Sequence, residues 1–143
     1  MIVVDTNVII AGTRSKKGAS YRILSAMVEH RLDFFISVPL FWEYEEVLKR
    51  PGVVSNLSTA EIDEILNALA AYGKKPRIFY LWRPTLPDLN DDMVLELAIA
   101  GSASTIITAN TIDFGPALQF GIEIQPPPTH LLKEQPCYEH HYR

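Results

Sequence analysis

The chain opens on Ile2-Val3-Val4, an apolar β-branched run that stops abruptly at Asp5-Thr6-Asn7. That pattern predicts a buried parallel strand delivering polar residues at its carboxyl end. Between Gly18 and Arg31, the residues Ile23, Leu24, Met27 and Val28 recur at helical spacing and form one apolar stripe. Phe34 to Val38 predicts a second short strand. Pro39 then suits the first turn of a helix running to about Arg50, which Pro51-Gly52 closes. Ser58-Thr59 followed by Glu61 opens another helix to about Tyr72, with Ile62, Ile65, Leu66 and Leu69 facing inward. Arg77 to Trp82 is strand-like until Pro84 and Pro87 break it, and Asn90 to Ala100 is helical with Gly101 as its stop. Ser104 to Thr108 and Gly121 to Gln125 complete the strands.

Strands alternating with helices predict an α/β fold, a three-layer α/β/α sandwich with a central, mainly parallel, Rossmann-like sheet. It should occupy residues 1–125, leaving a Pro-rich tail, 126–143, that begins at Pro126-Pro127-Pro128. In such sheets function gathers at the carboxyl ends of the strands.

Composition narrows the class. In 143 residues, 48% hydrophobic content is enough for one buried core without disulfides or a structural metal. Charged residues make up 21%, and no apolar run reaches the ~18 residues of a membrane span, so disorder, a membrane protein and a coiled coil are excluded. No basic segment or cleavage site precedes the first strand, so a cytoplasmic location is expected. The lone Cys137 can form neither an internal disulfide nor a thiolate zinc site.

The net charge of −4 comes from 13 basic and 17 acidic residues, so no global positive field announces nucleic acid. Basic residues do group locally, as Arg14, Lys16 and Lys17 after the first strand, then as Lys74, Lys75, Arg77 and Arg83. The first group is the candidate for phosphate contacts.

Acidic residues recur where the fold should collect them. Asp5 ends the first strand, where it could equally cap a helix. On the next predicted helix, Leu40, Tyr44, Val47 and Leu48 share a face at about 100° per residue, and Glu43 lies about 40° from Val47 at its edge. Glu45 and Glu46 point away from that face. Asp91 falls in line with Leu95 and Ala98 on an inward face, while Asp92 sits on the flank, so Asp91 ranks first. Asn110 and Asp113 follow another buried strand, Ile106-Ile107-Thr108.

Four acids packed together would repel and raise one another's pKa. A hard divalent cation, Mg²⁺ or Mn²⁺, resolves that conflict through carboxylate and water oxygens. Zinc fits less well, because none of the four histidines (His30, His130, His140 and His141) accompanies the acids.

These residues bring the chain close to a known family. Asp5-Thr6-Asn7-Val8, Glu43-Tyr44 with Val47-Leu48-Lys49-Arg50-Pro51, Asp91-Asp92 before Leu95-Glu96-Leu97-Ala98, and Ile107-Thr108-Ala109-Asn110 with Asp113-Phe114 occur in family order. The sequence resembles PIN-domain proteins of the VapC-like toxin type from residue 1 to about 125. The resemblance implies a Mg²⁺- or Mn²⁺-dependent endoribonuclease, the toxin of a toxin–antitoxin pair. Asp5, Glu43, Asp91 and the more variable Asp113 would be the catalytic and metal-holding acids, with Thr6, Asn7, Thr108 and Asn110 in support. It also implies a homodimer, a small antitoxin partner and single-stranded RNA as substrate. Asn110 departs from the pattern, since many relatives carry an acid there.

Two other classes compete. A catalytically weak or inactive PIN-like module would bind RNA or regulate while keeping the fold. A phospho-acceptor receiver domain would need a second acid beside Asp5 and a late lysine, yet no lysine lies between Lys75 and Lys133.

Overall fold

In the computed structural model, the described residues are 1–77 and 89–133. Strand β1 (Ile2–Val4) leads directly into helix α1 (Thr6–Arg14), followed by α2 (Ala19–Val28), α3 (Val38–Leu48), α4 (Thr59–Tyr72) and α5 (Leu89–Gly101). Strand β2 (Thr105–Ile107), a 3₁₀ turn over Gly115–Phe120, strand β3 (Glu123–Gln125) and helix α6 (Pro127–Lys133) complete the order. The three strands form one parallel sheet in the order β1-β2-β3, the centre of the expected α/β/α arrangement. No helix among the described residues is long and apolar enough to cross a membrane.

Sheet register places the polar ends. Val4 pairs with Ile107, and Ile107 with Gln125. The ladder runs one step further, with Asp5 N donating to the Ile107 carbonyl at 2.9 Å and Thr108 N to that of Gln125 at 3.0 Å. Asp5 and Thr108 therefore emerge side by side. Val3, Val4, Ile106 and Ile107 are fully buried behind them, as a parallel strand covered on both faces requires.

The expected strand at Phe34 to Val38 is shorter than its apolar run implied. Only Phe34 and Phe35 join the sheet, through isolated parallel bridges to Ile2 and Lys74. Ser37 ends the extended stretch, because its Oγ accepts from Leu40 N at 3.2 Å and caps α3. Helix α1 was not expected from the pattern. Asp5 directly follows the last strand residue, Val4, and is the N-cap of α1, accepting from Thr6 N at 2.8 Å, so no loop separates the two elements. Of the strand expected at Arg77 to Trp82, all beyond Arg77 lies outside the described residues. Pro127–Lys133 folds as α6 against α2, with His130 buried and its Nδ1 2.9 Å from Gln125 Oε1.

Ile36, which leads into the cap of α3, packs on the end of α4. A methyl group on Gly73 would lie 2.4 Å from Ile36 Cγ2 and 2.8 Å from the Leu69 carbonyl oxygen. Gly73→Ala is therefore expected to cost about 1–3 kcal/mol through overpacking. A thermal melt superimposable on the wild type would show that this contact can relax.

Candidate active site

Three local devices build the site. The first is the Asp5 cap, which fixes that carboxylate at the start of α1 with only 6% of its surface exposed. The second is Tyr44, fully buried on the inward face of α3, whose hydroxyl donates a short hydrogen bond to the Val4 carbonyl. That bond pins α3 to the carboxyl end of β1 and sets Glu43 beside α1, where Thr6 Oγ1 donates to Glu43 Oε2 at 2.7 Å. Burial above all, then the negative charges of Asp5 and Glu43, hold the Tyr44 hydroxyl well above the ordinary tyrosine range. It remains a neutral donor at any working pH.

The third device is Thr108, 0% exposed at the end of β2. Its Oγ1 donates to Asp5 Oδ2 at 2.8 Å, and accepts from Asn110 N at 3.0 Å and more weakly from Asn7 Nδ2 at 3.4 Å. One proton and two lone pairs are thereby all used. Asn7 Oδ1 accepts in turn from Ala109 N at 3.2 Å, tying the start of α1 to the chain after β2.

These elements enclose a cleft of about 560 Å³. Asp5, Glu43 and Asp91 line it, together with Thr6, Asn7 and Asn110. Asp91 and Asp92 are comparably buried, at 9% and 7% exposed, but only Asp91 belongs to the cleft wall. Asp113 stands one side chain back, its Oδ2 accepting from Asn110 Nδ2 at 2.6 Å. An ionised carboxylate only accepts, so the amide nitrogen of Asn110 must face Asp113 and its Oδ1 turns elsewhere.

Other residues fall where sequence periodicity did not place them. Arg14, Lys16 and Lys17 sit at and beyond the far end of α1, about 12 Å along the helix from Thr6, and do not line the cleft. Arg14 Nε donates instead to the Val53 carbonyl at 2.7 Å. Among the described residues, the basic side chain that lines the cleft is Arg50, whose Nη2 meets Glu46 Oε1 at 2.9 Å. Glu46, expected to point away, lines the wall with it, as does the exposed Trp42. The spacing of Trp42, Glu46 and Arg50 at every fourth residue was the signal that could have joined them.

A family model for the PIN domain matches residues 1–112. The chain belongs to the PIN-domain family. Searches of curated proteins and of solved structures found no match. The matched span of the PIN domain contains Asp5, Glu43, Asp91, Thr108 and Asn110 and stops one residue short of Asp113. Membership points to nuclease chemistry in general.

The donor set of this PIN domain suits a hard cation. Among the described residues, the acids lining the cleft are Asp5, Glu43, Glu46 and Asp91 against the one base Arg50, and neither histidine nor cysteine lines it. Among the described residues no three His, Cys, Asp or Glu side chains are already drawn into a closed metal-binding group. Mg²⁺ does not require one, because it keeps several waters and binds through one or two carboxylates.

Proposed function

We propose that this PIN domain is an endoribonuclease that hydrolyses phosphodiester bonds of single-stranded RNA with Mg²⁺ or Mn²⁺. The observation that carries the reading is the charge of the cleft. Among the described residues, four carboxylates against one guanidinium line it, a set that repels a phosphodiester unless a cation stands between them. Asp5 and Asp91 would hold that ion most directly. A divalent ion bound there would supply positive charge toward the phosphate and make a water more acidic. Glu43, anchored by Thr6, orients water at the cleft wall. Asp113 acts from behind through Asn110, as an outer support of the acidic set. Thr108 and Asn7 keep Asp5 in place and contribute no chemistry of their own.

The resemblance to VapC-like proteins extends the proposal to a cytoplasmic toxin, homodimeric and held by a small antitoxin. The competing module that binds RNA without cutting it draws support from Asn110, an amide where many relatives carry an acid.

Incubation with a labelled single-stranded RNA decides between them. The expected result is cleavage in Mn²⁺ or Mg²⁺, none in EDTA, and little or none of the matching DNA. Stable binding of intact RNA in both ions would overturn the nuclease reading in favour of the module.

A further inference from the structure

Helix α3 carries a second pattern besides its buried face. Val38, Trp42, Glu46 and Arg50 follow one another at every fourth residue, a single ridge along the helix and the turn after it. Trp42 is 65% exposed and Val38 54%, whereas Leu40, Tyr44 and Leu48 on the opposite side are buried. A large aromatic side chain left in water on a well-packed helix gains nothing for folding. Its position is informative, because Trp42, Glu46 and Arg50 all line the cleft that holds Asp5, Glu43 and Asp91.

From Trp42 to Arg50 is about 12 Å along the helix. The ridge thus presents an open aromatic face near the acids and a guanidinium at its other end. The Glu46–Arg50 pair is exposed on both sides, 73% and 55%, and such pairs contribute little. Arg50 can therefore exchange Glu46 for a phosphate at small cost. An aromatic platform followed by a cation is the combination that holds single-stranded nucleic acid without reading its sequence.

We infer that Trp42 is a base-stacking platform for single-stranded RNA at the edge of the cleft, with Arg50 receiving a phosphate of the same strand. This rests on the reading of the cleft as an RNA-processing site. Trp42 is a positioning residue here: it seats the strand and takes no part in bond cleavage.

The test compares the wild type with Trp42→Ala, Trp42→Phe and Arg50→Ala. Anisotropy of a labelled RNA oligonucleotide is read in Ca²⁺, a hard cation that also takes oxygen ligands, with the RNA checked for intactness. Steady-state cleavage is then read in Mn²⁺. Trp42→Ala should weaken binding about 5- to 100-fold and raise KM correspondingly, with kcat nearly unchanged, and Trp42→Phe should recover much of the loss. Arg50→Ala should lower affinity and flatten its salt dependence. Moving one abasic position through the oligonucleotide should locate a site at which Trp42→Ala no longer matters, a readout that a folding defect would not give. If Trp42→Ala binds and cuts like the wild type, the stacking role is overturned while the nuclease reading stands, and the ridge is left as a protein-docking face. If the wild type binds RNA but does not cut it, the nuclease reading fails and anisotropy alone judges Trp42. A wild type that does not bind RNA overturns both.

Discussion

Asp5→Asn and Asp91→Asn are each expected to reduce RNA cleavage at least ~100-fold, the scale seen when charge stabilisation at a reacting phosphate or carbonyl is removed. Both acids line the cleft, and Asp5 is held there by bonds to each oxygen, from Thr6 N and from Thr108 Oγ1. Asparagine keeps the size and the capping ability of aspartate but offers one oxygen for two donors. A loss of about 1–2 kcal/mol in stability should therefore accompany Asp5→Asn, and activity must be compared where both proteins are folded. Asp92→Asn is the internal control. Asp92 is as buried as Asp91 but does not line the cleft, so its amide should leave most of the rate. Full activity in the Asp5 and Asp91 variants would overturn the assignment, and a reversed order between Asp91 and Asp92 would exchange their roles.

Thr108→Val carries the second large effect. Valine has the shape of threonine, so packing is preserved and only the hydroxyl is lost. That hydroxyl, itself fully buried, serves the buried Asp5 carboxylate, the Asn110 amide and Asn7. Leaving these groups short of a partner should cost about 2–3 kcal/mol, or roughly 6–12 °C in Tm for a chain of this size. Cleavage should fall about tenfold as well, because Asp5 loses the hydrogen bond that Thr108 gives its Oδ2. Thr108→Ser keeps the hydroxyl and should stay near the wild type in both measurements. A valine variant that melts with the wild type would mean that these groups find other partners easily.

Much of the site was legible before any tertiary contact was known. Burial on both faces demands continuous β-branched residues, so Ile2-Val3-Val4 and Ile106-Ile107 announce parallel strands, and the polar residues that end them must lie at one edge. Helical periodicity placed Asp91 in line with Leu95 and Ala98, and Ser58 with Glu61 marked the start of α4, where the two form a reciprocal cap. These features depend on near neighbours along the chain.

Other features rest on one residue serving two elements or on contacts between distant segments. Helix α1 was hidden because Asp5 serves two elements at once, and a residue that extends a strand's ladder and caps a helix leaves no turn to read. Glu43 gains its place from the Tyr44 bond to Val4, 40 residues away. Arg50 and Trp42 belong to the cleft only because α3 lies across its side, and Arg14, Lys16 and Lys17 fall outside because α1 runs away from it. Asp113 is one position among several acids in the sequence, and its bond to Asn110 sets it behind the wall. Steric fit and periodicity are local, so the residues that end the strands and the apolar faces of the helices can be read from the chain alone. Which acids share a cleft, and that Arg50 reaches it, follows from the folded arrangement. That depends on strand register and helix placement, set by contacts between segments far apart in the chain.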